Sequence, residues 1–483
     1  MVETYGNLID GEWTPARSGR TFQDVNPADT TDVVGELQAS DAADANDAVE
    51  AAVRAFPAWA KTPAPVRGKI LLKAAQALEA RLDEVADLLA REEGKTIGEA
   101  RGETTRAVRI LEFFGGEGAR LCGETVPSER ERVFMYTQRQ PLGVVALITP
   151  WNFPIAIPAW KLAPALVSGN TVVLKPASQA PLTSLKLVGI LQGAGLPKGV
   201  LNYVTGSGGS LGTPLVAHPK VRAISFTGSD GVGREIAQVA AKRLARTQLE
   251  MGGKNPTIVL RDADLDTAVE CTLNAAFYST GQRCTATSRA IVEKAIVGPF
   301  LERLVERTKA LRIGDPRDAA TQLGPAIDAG QLDTTLRYLE LGKTEGARLV
   351  YGGERLTDGA LGRGHFMRPA IFSGVAPQSR LGQEEVFGPL LAVLEVDDFE
   401  QAVETANAVR FGLSASICTK DLSRALEYVQ RAEAGVIMVN LPSAGIEYQI
   451  PFGGVKDSSS GPREQGSAAV DYYTETKTVY VKY

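Results

Sequence analysis

Histidine is nearly absent from this 483-residue chain: only His218 and His365 occur, and cysteine is limited to Cys122, Cys271, Cys284 and Cys418. None of these residues falls at metal-ligand or paired spacing, which argues against a zinc centre and against a disulfide framework. Positive charge is not in excess either. The formal net charge is −5, with 52 Lys+Arg against 57 Asp+Glu, so nucleic acid and anionic membranes are not expected partners. No run approaches the roughly 18 apolar residues of a membrane helix. Residues 1–13 carry an early acid and no apolar centre, unlike a secretory signal. Repeats, low-complexity tracts and long polar linkers are also missing. The expectation is a cytoplasmic globular protein, too long for one core, with about three domain-sized units.

The N-terminal third opens strand-rich over residues 5–23. Ser40 and Asp41 then signal a helix start, followed by Ala45, Val49, Ala52, Val53 and Phe56 at helical spacing. A second helix is expected to run through Ile70, Leu71, Ala74, Leu78, Leu82, Val85 and Leu89. From residue 143 short apolar runs alternate with helical patterns, and 143–149, 171–175 and 221–226 read as buried strands. A second series follows Cys284, at 290–292, 348–351, 391–395 and 436–440. Strands spaced by helices predict parallel, doubly wound α/β sheets. Residues 124–140 alternate in polarity and 471–483 lack helical period, so both read as exposed strands. The tail is expected to add to another subunit's sheet, because an open β edge invites pairing.

Cys284 stands in Gly281-Gln282-Arg283-Cys284-Thr285-Ala286, a polar loop in which Arg283 would favour the thiolate. The other three cysteines have no such neighbours. Glu250, followed by Met251-Gly252-Gly253, is expected at a strand end beside backbone that can be closely approached. A thiol and a carboxylate together can form an acyl intermediate and then hydrolyse it. Asn152 follows a buried strand in Thr149-Pro150-Trp151-Asn152-Phe153-Pro154, where ligands bind in such sheets, and its amide could donate to an oxyanion. Lys175-Pro176-Ala177-Ser178 closes the next strand. Phe226-Thr227-Gly228-Ser229 leads into a helix with the small residues that a phosphate requires. The glycines of Gly206-Ser207-Gly208-Gly209 read as a loop.

These strings resemble, in order and along nearly the whole chain, the aldehyde dehydrogenase superfamily. Glu384-Glu385-Val386-Phe387-Gly388-Pro389 and Pro451-Phe452-Gly453-Gly454 complete the set. The resemblance implies two doubly wound α/β domains, one for cofactor and one catalytic, plus a small β bridging and oligomerisation element. Its parts would be 1–119 with 141–252 for NAD(P), 253–440 for the nucleophile, 120–140 with 465–483 for oligomerisation, and 441–464 as a substrate and anchor loop. It implies attack by Cys284 on an aldehyde, an oxyanion held by Asn152 and the Cys284 N–H, and hydrolysis of the thioester with Glu250 as base. Ile148, Thr149, Pro150, Trp151, Lys175, Ser178, Gly208, Gly228, Ser229, Met251, Glu385 and Phe387 would contact the cofactor. The presence of Glu250 speaks against the coenzyme-A-acylating branch. A non-catalytic protein on this scaffold would be expected to lack the nucleophile or the base, and both are present.

Many NAD-preferring members carry an acid where Ser178 stands. Serine removes a charge that would repel a 2′-phosphate while Lys175 remains to attract it, which tilts the reading toward NADP or dual use with NAD. Arg283, beside the nucleophile, suits an aldehyde with an anionic far end; Phe153 and Phe452 would line the same pocket, and Arg289 is expected to be structural. The segment from Pro442 to Gln449 and the one from Ser458 to Glu464 resemble the α-ketoglutarate semialdehyde (2,5-dioxopentanoate) dehydrogenase branch. Succinate semialdehyde and non-phosphorylating glyceraldehyde-3-phosphate dehydrogenases remain alternatives, since carboxylate and phosphate both satisfy one Arg. The β segments imply a homodimer or homotetramer.

Overall fold

The computed structural model describes residues 2–483. Two large sheets organise it, each built around parallel strands. The first has eight strands in the order Glu12–Thr14, Asn7–Ile9, Leu201–Tyr203, Thr171–Lys175, Val144–Ile148, Val221–Thr227, Arg246–Glu250, Ser459–Ser460. The five from Leu201–Tyr203 to Arg246–Glu250 are parallel; the antiparallel pair Asn7–Ile9 and Glu12–Thr14 closes one side and the antiparallel strand Ser459–Ser460 the other. Their residues are apolar in continuous runs, as in Val144-Val145-Ala146-Leu147, because helices cover both faces. The order runs outward in both directions from Val144–Ile148, so the carboxyl ends of the central strands open onto a crevice suited to a ligand.

The second sheet has seven strands in the order Arg348–Tyr351, Ala370–Ser373, Leu390–Val396, Thr287–Glu293, Asn255–Val259, Ser414–Cys418, Val436–Val439. All are parallel except the outer pair of Arg348–Tyr351 with Ala370–Ser373. The fold is therefore α/β with two doubly wound sheets, and the chain passes between them in the short stretch from Glu250 to Asn255.

The helix Ala156–Val167 is buried along its whole length and apolar apart from Lys161. It lies in one core with Leu111 and Phe114 of the helix Ile97–Glu117 and with Val145 and Leu147 of the sheet. The stack fixes the loop before Ala156, which carries Asn152, against the first turns of Ile97–Glu117.

Three expectations are corrected. The helix expected through residues 70–89 is two, Ala64–Glu79 and Leu82–Glu93. The acids Asp83 and Glu84 in the first turn of the second helix stabilise a new start there, while Leu78 and Val85 keep the apolar face in phase. Residues 124–140 form two strands, Thr125–Val126 and Val133–Pro141. In the tail, Ala469–Tyr473 is a buried helical turn, and only Thr474–Lys482 is a strand. That strand pairs antiparallel over nine residues with Val133–Pro141 of its own chain, so its first partner is intramolecular. It remains the edge of that three-stranded sheet.

Candidate active site

Cys284 is placed by a loop whose backbone is held against its preference. Ser279 and Thr280 have φ of 51° and 55°, left-handed values that a β-branched residue rarely takes. Gly281 follows at φ 67°, where an added Cβ would meet the Gly388 carbonyl oxygen at 2.4 Å. Each strained non-glycine residue costs on the order of 1–3 kcal/mol, so surrounding contacts must impose the shape. They do: Glu99 accepts from the Ser279 N–H at 2.7 Å, and Thr280 donates to the Gly324 carbonyl at 3.0 Å. Beyond the turn, the Gln282 amide oxygen accepts from the Ile327 N–H at 2.9 Å, and Asn255 donates to the Cys284 carbonyl at 2.8 Å.

Asn152 is buried, and its Nδ2 donates to the Gln282 carbonyl at 3.0 Å. An amide group has two N–H donors, so one remains for a ligand oxygen beside Cys284. Glu250 ends its strand and is almost wholly buried. Ser459, its antiparallel partner, donates to one carboxylate oxygen, and Gln248 donates to the other at 3.2 Å. Gln248 accepts from Ser225 at 2.6 Å, and Ser225 accepts from Lys161 at 2.7 Å. Lys161 in turn is bonded to Glu464. Burial, and then the Glu464 charge, push the Glu250 carboxyl well above its ordinary range.

Burial, with the Glu385 and Glu250 carboxylates, pushes the Cys284 thiol up to about 12. Arg106 opposes that shift, and Arg283 and the thiolate also favour each other's charge, although the hydrogen bonds of Arg283 go elsewhere. Arg283 Nη2 is instead occupied by the Asn274 and Ala275 carbonyls, while its Nε is buried without a partner.

Cys284 lies at a cavity of ≈ 360 Å³ also lined by Arg283, Phe153 and Phe452. Phe452 packs on Trp160, with ring centroids 5.7 Å apart. The cavity holds a second guanidinium that sequence reasoning missed. Arg106 sits over the Trp160 ring at 5.4 Å, donates to Gln465 at 2.9 Å, and has its Nε buried without a partner. A signal was available: Glu99, Glu103 and Arg106 recur at helical spacing in phase with buried Ala100 and Ala107, where a core helix should be apolar.

The residues assigned to the cofactor gather at the carboxyl ends of the first sheet. Ile148 ends one strand and leads to Thr149, Pro150 and Trp151; Lys175 ends the next and leads to Ser178. Gly228 and Ser229 join Val221–Thr227 to the helix Asp230–Ala241, and Met251 follows Glu250. Gly208 opens a short, wide π-helical turn, Gly208–Gly212, capped by Ser207, so the expected loop is in part helical. An added Cβ at Gly208 or Gly209 would meet nothing within 4 Å, which leaves bare backbone facing open space. The hydroxyls of Thr149 and Thr227 are buried without partners. Lys175 Nζ bonds only the Pro176 carbonyl, at 2.9 Å, and burial lowers it to about 8. Spare donors and bare backbone at one sheet edge fit a dinucleotide with phosphates. From the second sheet's side, Glu385 accepts from the Gly253 N–H at 2.9 Å, and burial raises it to about 7. Phe387, at φ 60°, sets its ring edge-on to Trp151 at 5.4 Å. Arg289 is fully buried, bonded to the carbonyls of Lys254, Thr405 and Ala406, and is structural as expected. Among the described residues no acid, cysteine and histidine cluster could hold a metal, and no helix is long and apolar enough to cross a membrane.

A buried thiol between a carboxylate base and an amide donor, beside a dinucleotide-shaped edge, is the equipment for oxidising an aldehyde through an acyl-enzyme. Comparison with known proteins agrees. The chain is 50% identical over 479 residues to the alpha-ketoglutaric semialdehyde dehydrogenase of Bacillus subtilis (strain 168), covering 99% of this chain and 98% of that protein. It is 44% identical over 482 residues to the 2,5-dioxopentanoate dehydrogenase of Saccharolobus solfataricus, covering 99% of each. The crystal structure of betaine aldehyde dehydrogenase from Staphylococcus aureus in complex with NAD+ superposes with a TM-score of 0.96 at 32% identity, over 99% of this chain and 94% of that one. Residues 13–479 match the aldehyde dehydrogenase family as a whole, and with the site's geometry this identifies the chain as a member of that family.

Proposed function

We propose that this enzyme oxidises 2,5-dioxopentanoate to 2-oxoglutarate with NAD(P). The observation that carries the substrate reading is the pair of guanidiniums, Arg106 and Arg283, in the cavity of Cys284. A five-carbon dicarbonyl acid has its carboxylate at the far end from the aldehyde. In a cavity that also presents Phe153, Trp160, Tyr278 and Phe452, a paired carboxylate is worth more than in water. The names of the B. subtilis and S. solfataricus relatives support the same substrate.

In this reading Cys284 Sγ attacks the aldehyde carbon and its proton leaves toward Glu250, whose raised affinity for protons suits it to accept one. The free N–H of Asn152 and the Cys284 backbone N–H hold the oxygen of the thiohemiacetal. Bound nicotinamide supplies the hydride acceptor. After the thiol's proton has passed to solvent, Glu250 takes one from the water that cleaves the thioester and returns it to Cys284 Sγ as the acid leaves. Lys175 and Ser178 leave room and charge for a 2′-phosphate, so NADP is the favoured form, with NAD also used. Residues 1–119 and 141–252 would serve the cofactor, 253–440 the nucleophile, and 441–464 the substrate. The exposed side chains of Tyr480 and Val481 on the edge strand Thr474–Lys482 favour a homodimer or homotetramer built through that edge. The four unpaired cysteines suit a reducing cytoplasm.

Initial rates with 2,5-dioxopentanoate, succinic semialdehyde, glyceraldehyde 3-phosphate and propanal, each with NAD and with NADP, test the assignment. A kcat/KM at least about tenfold higher for 2,5-dioxopentanoate supports it, equivalent to about 1.4 kcal/mol in the transition state. A best rate with propanal would overturn the carboxylate reading and leave the dehydrogenase chemistry intact.

A further inference from the structure

The mechanism above uses Asn152 as an oxyanion donor, but nothing in its own loop holds that residue in place. The helix that follows, Ala156–Val167, starts without a side-chain cap from its own sequence. Its first N–H groups are satisfied from elsewhere. Glu103, on the neighbouring helix Ile97–Glu117, accepts from the Ile155 N–H and from the Ala156 N–H, both at 3.0 Å. The other oxygen of the same carboxylate accepts from Lys95 Nζ at 2.6 Å. Lys95 Nζ then donates to the backbone carbonyl of Asn152 itself, at 2.7 Å. Its ammonium also lies 4.3 Å from the centroid of the Phe153 ring. Two side chains thus grip the 152–156 segment at both ends: Lys95 at the Asn152 carbonyl and Glu103 at the helix start.

The chemistry of this pair is costly for a merely structural role. Both side chains are almost completely buried, at 1% and 2% exposure. Taking an ammonium and a carboxylate out of water costs several kcal/mol per ion, and an apolar pair of similar volume often serves stability as well or better. A second buried carboxylate, Glu93, stands 3.8 Å from Lys95 Nζ and is pushed up to about 8 by burial. What a charged pair offers and an apolar one does not is direction: fixed donors and acceptors aimed at particular backbone atoms. One helical turn earlier, Glu99 does the same for the other half of the site, by holding the strained Ser279 that precedes Cys284.

We propose that the Lys95–Glu103 ion pair is a positioning device for the reaction, which sets the Asn152 amide at the distance that the developing oxyanion requires. The pair lines the cavity of Cys284, but its polar atoms are engaged with each other, with the Asn152 carbonyl and with the helix start. It acts through Asn152 and rests on the reading of Asn152 as an oxyanion donor. The face formed by Glu99 and Glu103, four residues apart, is then a common ruler. From one rigid helix it registers the loop of the nucleophile against the loop of the donor.

The test is a mutant cycle read by rapid mixing, as the rate of the first turnover of cofactor reduction. Asn152→Ala alone is expected to slow that step by about 100- to 1,000-fold, the usual loss for one oxyanion donor. If it does not, the reading of Asn152 fails, and with it the basis of the present proposal. Lys95→Met/Glu103→Leu replaces the pair by apolar side chains of similar size. It leaves the Ile155 and Ala156 N–H groups and the Asn152 carbonyl unpaired, so it is expected to melt lower than the parent. It is expected to bind NADP unchanged and to slow the first turnover by about 10- to 100-fold. In the Asn152→Ala background the same double change should have almost no further effect, because the part it positions is gone. Equal losses in the two backgrounds, or a fast first turnover in the apolar variant, would overturn the proposal while leaving Asn152 as donor. Should the apolar variant fail to fold, Glu103→Gln keeps an oxygen for the two amide protons and loses the charge that holds Lys95. It enters the same cycle with the same expected non-additivity.

Discussion

The two sides of Cys284 are built from different materials. On the cofactor side the chain presents strand ends, glycines and small residues, with Thr149 and Thr227 hydroxyls and a nearly naked Lys175 as its spare donors. On the aldehyde side it presents long side chains from distant segments: Arg106 from one helix, Arg283 from the nucleophile loop, and Phe452 and Gln465 from the last fifty residues. The first surface is mostly backbone and is set once the sheet forms. The second is mostly side chain and can be altered one residue at a time without disturbing the sheet. Backbone therefore serves the ligand shared by the whole family, and side chains serve the one that varies.

Substitutions should respect that division, and any that cross it would break the comparison. The largest effect belongs to the residue common to both sides. Cys284→Ala is expected to remove at least about 10,000-fold of kcat with either cofactor and every aldehyde, measured by cofactor reduction. Glu250→Gln removes the acceptor for both the thiol's proton and the water's. The first-turnover burst of reduced cofactor should slow, and steady turnover should fall by about 100- to 10,000-fold; a burst at the parent rate would show that Glu250 acts only after the thioester. On the aldehyde side, Arg106→Leu and Arg283→Leu should each lower kcat/KM for 2,5-dioxopentanoate by about 10- to 100-fold, a charged hydrogen bond's worth. The propanal rate and the KM for NADP should stay within about twofold. On the cofactor side, Ser178→Glu should raise the KM for NADP far more than that for NAD, by about tenfold in the ratio. An unchanged ratio would sink the reading of that position.

The smallest effect is one of pH. Burial lowers Lys175 to about 8, so the ammonium is charged below that pH and neutral above it. The KM for NADP relative to NAD should therefore rise as pH goes from about 7 to about 9, and be flat below about 7. A ratio that does not move would mean that the lysine meets no phosphate.

What could be read in the sequence divides along the same line. Strand-end strings such as Thr149-Pro150-Trp151-Asn152 and Phe226-Thr227-Gly228-Ser229 are contiguous, so a buried run followed by small residues announces both the strand and what its end can do. Glu250 was legible for the same reason, at the end of its strand before two glycines. Arg106, Lys95 and Glu103 were not. Arg106 and Glu103 sit in a helix and Lys95 in the short loop before it, and partners lie up to 359 residues away, as in Arg106 to Gln465. Helical phase shows that such residues face the core but not what they meet there. The break between Glu79 and Leu82 was missed because neither proline nor glycine marks it and the apolar period continues across it. Adjacency in sequence put Arg283 next to Cys284 but did not show that its Nη2 turns to the Asn274 and Ala275 carbonyls.

The strand that carries Glu250 is bordered on its outer side by Ser459–Ser460. A ribosome adds these residues more than two hundred positions after the base itself. A nascent chain that has already made its nucleophile, its donor and its base still has that base's strand open on one side, without the serine that bonds its carboxylate. The environment of that carboxylate is thus complete only once the C-terminal segment has been made.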